Sequence, residues 1–166
     1  MPEISLDQNF REFLELLNSA KIKYLVIGGY AVNYHGHHRF TGDIDLWVAV
    51  EPTNAERLSA ALEQFGFSPG SVPPSLFLEL GRVFQFGRVP VRIDLLTGPS
   101  GVEFEGCYAR RVEAELDGVN VPIIGLDVLK ANKRASGRDK DLQDLKNLPP
   151  HEGPTPGQSG DTGSSQ

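Results

Sequence analysis

The residues of this chain best suited to chemistry are Asp43 and Asp45, separated by Ile44 and followed by Leu46-Trp47-Val48. Polar and apolar residues alternate here, which predicts a strand with Ile44, Leu46 and Val48 on its core face. The two carboxylates then point the same way, about 6–7 Å apart along the backbone. Like charges on one face repel, so the pair calls for a cation between them, and a hard divalent ion suits carboxylate oxygens. Asp94 is the candidate third ligand, because in Val91-Arg92-Ile93-Asp94-Leu95 it lies opposite the apolar Val91-Ile93-Leu95 face. Two ions roughly 3.5–4 Å apart, held by such carboxylates, would activate a hydroxyl and neutralise a triphosphate with its leaving pyrophosphate. The plainer alternative is that Asp43 and Asp45 line a solvated sheet face.

A glycine pair, Gly28-Gly29, stands fourteen residues upstream of Asp43. It follows the apolar run Tyr24-Leu25-Val26-Ile27 and precedes Tyr30-Ala31-Val32-Asn33-Tyr34, which reads as strand, glycine turn and the start of a helix ended by Gly36. A helix start beside the aspartate strand offers free amides and a favourable dipole to phosphate. Taken alone, the pair is equally well a tight turn.

The remaining elements follow from periodicity. Phe10, Phe13, Leu14 and Leu17 recur at helical spacing after two possible caps, Ser5 and Asp7. A second helix runs through Leu58, Ala61, Leu62 and Phe65, capped by Thr53 or Asn54 and stopped by Gly66. Val83–Phe86 with Val91–Leu96, and Arg111–Leu116 with Val119–Ile123 across Asp117-Gly118, predict two hairpins. Helical segments near Leu126–Ala135 and Asp139–Lys146 close the domain before Pro149-Pro150. Helices flanking a mixed sheet predict an α/β or α+β domain over residues 1–148. Residues 149–166 hold four Pro, four Gly and no large apolar residue, and read as a disordered tail.

The totals narrow the function. The single cysteine, Cys107, excludes an internal disulfide framework, fits a reducing cytoplasm and reads as a small buried hydrophobe. No stretch approaches the roughly 20 apolar residues of a membrane span, so no membrane partner is expected. A net charge of −6 disfavours a surface that grips long nucleic acid through many phosphates.

Together, the segment from Gly28-Gly29 through Arg39-Phe40-Thr41-Gly42-Asp43-Ile44-Asp45-Leu46, and the later Arg92-Ile93-Asp94-Leu95-Leu96, resemble the nucleotidyltransferase fold of the DNA polymerase β-like superfamily. The Arg39-x-Thr41-x-Asp43-Ile44-Asp45 version resembles the small bacterial abortive-infection transferases of the AbiEii type, associated with toxin–antitoxin systems. The resemblance covers about residues 22–146. It implies a mixed sheet flanked by helices, Mg²⁺ or Mn²⁺ as cofactor, and transfer of a nucleoside monophosphate from a triphosphate such as ATP to a hydroxyl of RNA (tRNA included), protein or a small molecule. It further implies that Asp43, Asp45 and Asp94 hold the metals, that Asp94 helps deprotonate the acceptor, and that Gly28 and Gly29 hold the terminal phosphates. Many relatives have serine at the second glycine, where this chain has Gly29. Arg39 would approach the triphosphate and Thr41 would orient the aspartate strand, although a solvated arginine and a β-forming threonine explain the same residues. A degenerate relative, binding a nucleotide or a cognate toxin or antitoxin, is the alternative from another class. A dinucleotide-binding enzyme lacks the required glycine spacing.

Lys130, Lys133 and Arg134 share a helix face that can meet polyphosphate, with Lys133 the chosen contact; the same face can be merely solvated. Asp139, Asp141 and Asp144 are expected to cap and pair with these cations. His35, His37 and His38 are too compressed in a glycine-containing loop to read as a metal cluster, and Trp47 reads as core more readily than as a base-stacking platform.

Overall fold

The N-terminal helix forms where the sequence lays apolar residues in one stripe. In the computed structural model, which describes residues 6–37, 41–88, 91–98 and 103–150, α1 (Gln8–Ser19) buries Phe10, Phe13, Leu14 and Leu17. Asp7 caps it by accepting from the Asn9 amide at 3.0 Å. Next come β1 (Tyr24–Ile27), α2 (Gly28–Tyr34), β2 (Asp43–Val48) and α3 (Pro52–Phe65). A 3₁₀ turn over Pro74–Phe77 leads to β3 (Val83–Arg88) and β4 (Val91–Leu96). The chain continues through α4 (Phe104–Ala109), β5 (Val112–Leu116), β6 (Val119–Ile123), α5 (Leu126–Ser136) and α6 (Asp139–Asn147). Ser5 and residues 151–166 of the expected tail lie outside the described residues.

The strands form one sheet in the order β3-β4-β2-β1-β6-β5. Three pairs are antiparallel (β1 with β2, β3 with β4, β5 with β6), and β2 with β4 and β1 with β6 are parallel, so the sheet is mixed. Ile44, Leu46 and Val48 are completely buried. Phe13 of α1 meets Phe65 of α3 and Phe86 of β3 edge-on at 5.2 and 5.3 Å, so α1 and α3 cover the apolar face of the sheet. Trp47, on the other face, is 2% exposed and packs edge-on against Phe104 of α4, with centroids 5.2 Å apart. It is core at this end of the sheet. Among the described residues no helix is long and apolar enough to cross a membrane.

Three local expectations need correction. α3 begins at Pro52 rather than after a Thr53 or Asn54 cap, because proline's fixed φ and missing N–H suit the first helical position. Asn54 is buried instead: it accepts from the Lys23 amide at 2.7 Å and donates to the Lys23 and Ala49 carbonyls at 3.2 and 3.0 Å. Ser71-Val72-Pro73-Pro74-Ser75, whose prolines predict a loop, instead runs into the 3₁₀ turn, which seats Phe77 5.9 Å from Phe84. Finally, α4 arises where no element was expected; its only signal is Phe104, Cys107 and Tyr108 at helical spacing, too short a run to stand out.

Two consequences are measurable. Asn54→Ala removes three hydrogen bonds and strands the Lys23 amide, so urea unfolding should show a loss of about 2 kcal/mol; a change within the error of the midpoint would mean that water replaces the amide. His35 packs against the same core and donates from Nε2 to the Ile124 carbonyl at 2.7 Å, while burial pulls its pKa below the ordinary value. The unfolded chain therefore binds the proton first as pH falls. This contribution to stability is complete above about pH 6.5 and lost as pH drops through the folded value. In His35→Gln, the acid-side slope of stability should flatten, as measured by urea midpoints between about pH 7.5 and 5.

Candidate active site

Parallel pairing of β2 with β4 sets Asp45 directly opposite Asp94 and Asp43 opposite Arg92. Since alternate residues share a face, all four side chains project from the same side of neighbouring strands, about 4.8 Å apart. Asp43 is partly exposed, whereas Asp94 is 8% exposed. Arg92 lies across them. Its Nη2 donates to Asp43 Oδ2 at 2.9 Å and its Nε to Asp94 Oδ1 at 3.1 Å. The bond to Asp94 and the charges of Asp94, Asp43 and Asp45 push the guanidinium pKa above its ordinary value, against a smaller opposing effect of burial.

The glycine turn closes on this group. β1 pairs with β2 so that Ile27 faces Asp45, and the chain turns into α2 through Gly28 at φ +68°. A Cβ on Gly28 would stand 2.0 Å from Asp45 Oδ2, so both the backbone angle and the carboxylate require glycine. A Cβ on Gly29 would stand 2.4 Å from the Thr41 hydroxyl. That hydroxyl donates to the Asp43 carbonyl at 3.1 Å, which ties the segment entering β2 to the aspartate strand.

The donor set of Asp43, Asp45 and Asp94 is one that hard divalent ions take, and Asp45 and Asp94 are register partners on adjacent strands. As the side chains lie, however, Asp43 and Asp94 are turned onto Arg92. Among the described residues no group of three His, Cys, Asp or Glu side chains is placed to hold a metal ion. The carboxylates fit the ion in chemistry and neighbourhood, with one oxygen each of Asp43 and Asp94 held by Arg92.

The other sequence candidates are spread more widely. Lys133 is 5% exposed and its ammonium meets Asp144 Oδ2 of α6 at 3.0 Å, with His37 Nε2 3.8 Å from the other carboxylate oxygen. The shared basic face thus divides: Lys133 is buried in an α5–α6 ion pair, while Arg134 is exposed. Arg39 and His38 lie outside the described residues. Sequence reasoning missed Arg92, although its position two residues before Asp94 on the same strand face was available as a signal. Beyond Trp47, a cavity of about 360 Å³ is lined by Trp47, Leu80, Thr97, Phe104 and the acidic Glu103 and Glu105.

No protein-family model matches the sequence, and no curated protein is significantly similar to it in sequence. Solved structures do share its fold. A candidate nucleotidyltransferase from Thermotoga maritima superposes with a TM-score of 0.57 at 15% identity, over 82% of this chain and 88% of that one. The lincosamide antibiotic adenylyltransferase LnuA, bound to lincomycin, gives 0.54 at 17% identity over 88% and 98%. An antigenic nucleotidyltransferase-like protein from Paracoccidioides brasiliensis gives 0.53 at 19% identity over 88% and 77%. The fold is nucleotidyltransferase-like.

The glycine geometry can be checked by substitution. Gly28→Ala must hold alanine at positive φ and displace Asp45, and should cost about 1–2 kcal/mol or more in urea unfolding. Gly106→Ala, on an exposed turn of α4 with open space around the new methyl, should instead stabilise by about 0.5–1 kcal/mol. Equal effects at the two positions would contradict the close approach of Asp45.

Proposed function

We propose that this chain is a divalent-cation-dependent nucleotidyltransferase that moves a nucleoside monophosphate from a nucleoside triphosphate to a hydroxyl group. The observation that carries the reading is the register of β2 on β4, which gathers Asp43, Asp45 and Asp94 on one face beside the glycine turn. Those three carboxylates would hold Mg²⁺ or Mn²⁺, which when bound supplies charge neutralisation for the triphosphate and the leaving pyrophosphate. The acceptor oxygen forms a bond to the α-phosphorus as the bond to the bridging oxygen breaks. The acceptor proton passes to a carboxylate, with Asp94 in that role, and pyrophosphate departs.

Amides at Gly28 and Gly29 would contact the terminal phosphates. Where many relatives carry serine at the second glycine, Thr41 Oγ1 occupies the space into which a side chain at position 29 would project, and it would have to turn its proton from the Asp43 carbonyl to donate to a phosphate. Arg39 is proposed to reach the triphosphate. Lys133 would have to give up Asp144 to do so, which makes it the weaker phosphate contact of the two.

A small-molecule acceptor is favoured over a nucleic acid. The cavity beyond Trp47 lies at the far end of the strand that bears Asp43 and Asp45, and its Glu103 and Glu105 would repel phosphates. Two similar structures carry small molecules, lincomycin in LnuA and adenylyl-2″-tobramycin in ANT(2″)-Ia, the latter with a TM-score of 0.50. A second reading, a catalytically degenerate module that binds a nucleotide or a cognate toxin or antitoxin, draws on one observation, the guanidinium lying on two of the three carboxylates.

Incubation with α-labelled nucleoside triphosphates, Mg²⁺ and a panel of hydroxyl acceptors should yield labelled product and pyrophosphate. The Asp43→Asn plus Asp45→Asn variant should lose on the order of a hundredfold or more of that rate. Label transfer untouched by the double change would refute the assignment of these carboxylates. An absence of Mg²⁺-dependent triphosphate binding by calorimetry, together with tight binding to a neighbour-encoded protein, would favour the degenerate reading.

A further inference from the structure

Arg92 bridges two of the three carboxylates proposed to hold a metal. Its two bonds, 2.9 Å to Asp43 and 3.1 Å to Asp94, take carboxylate oxygens that a divalent ion would ligate at about 2.0–2.2 Å. A guanidinium cannot be deprotonated to make room, so an ion drawing on the Asp43 and Asp94 oxygens that Arg92 holds must compete with it. The side chain is free to leave by one route, because 29% of it is exposed while Asp94 retains only 11%, so the arginine has solvent to enter and the aspartate does not.

We infer that Arg92 is a resident counter-ion for the aspartate cluster, holding Asp43 and Asp94 when no metal is bound and swinging off them when a divalent ion enters. This rests on the proposed metal-binding role of the cluster and adds a competition that the role alone does not require. The device has a physical rationale: without a cation, three carboxylates on adjacent strands would repel one another across the centre of the sheet. With Arg92 in place the carboxylates are held together, and the ion must bring enough affinity to displace it. The displaced guanidinium then remains on the face to which an anionic triphosphate comes.

The competition fixes the sign of a binding change. Were Arg92 a support that keeps the carboxylates aligned for metal, its removal would weaken binding; as a competitor, its removal strengthens binding. Mn²⁺ binding, followed by the electron paramagnetic resonance signal of the free ion, should be about tenfold tighter in Arg92→Gln than in the wild type, the equivalent of the two part-exposed charged bonds that the ion no longer breaks. Arg92→Lys, which keeps the charge but cannot span both carboxylates, should fall between them and serves if the glutamine variant fails to fold. Without metal, Arg92→Gln should melt below the wild type, and added Mn²⁺ should raise its melting temperature by the larger increment. Wild-type binding with equal or weaker binding in both variants would overturn the counter-ion role alone. If Mn²⁺ binds neither the wild type nor any variant up to millimolar concentration, the metal-binding reading of the cluster falls, and this inference with it.

Discussion

The parallel pairing of β2 with β4 is the constraint on which the rest of this structure depends. β2 sits inside the sheet, hydrogen-bonded to β1 on one side and β4 on the other. Its register places Ile44 against Ile93 and Leu46 against Leu95 on the apolar face, and Asp45 against Asp94 on the opposite one. A slip of one residue would turn every side chain over, putting carboxylates under α1 and α3 and leucines in water. The buried apolar face therefore specifies where the carboxylates meet. The hydrophobic core does the positioning, and the acidic cluster is held by it at an electrostatic cost.

How that cost is met distinguishes this site from a simple patch of acidic surface. Arg92 belongs to the same strand face and spans two of the three carboxylates, so the charges offset one another without a bound ion. On the β1 side, glycine at position 28 lets the Asp45 carboxylate lie against the backbone, and the Thr41 hydroxyl fills the corresponding space at Gly29. The strand-to-helix turn and the aspartate strand are thus packed against each other through polar atoms. Substitution at either glycine acts on the carboxylates as well as on the turn.

Away from the sheet, the polar residues of the C-terminal helices serve a different purpose. Lys133 and Asp144 are both almost completely buried and meet each other across α5 and α6, with His37 from the segment after α2 nearby. Breaking such a pair by removing one partner leaves an uncompensated buried charge. The pair consequently joins α5 to α6, a role in which position matters more than phosphate affinity.

Much of this was legible locally. Alternation over Asp43–Val48 is a period of two within six residues, and strand geometry converts it into two carboxylates on one face with no help from the rest of the chain. The glycine turn, the helices and the hairpins were readable for the same reason, since caps, turns and periodicity are short-range properties. What tertiary structure alone decided was which side chains meet across sequence distance. Arg92 and Asp43 are 49 positions apart, and nothing in either segment specifies that Asp43 receives the arginine while Asp45 faces Asp94. Likewise Lys133 and Arg134, adjacent on a helix with one basic face, become a buried partner of Asp144 and an exposed cation only when α6 folds onto α5. The sequence by itself determined that three carboxylates would be presented by strands beside a glycine turn; the packing of those strands, through a register set by apolar burial, determined that an arginine would lie upon them.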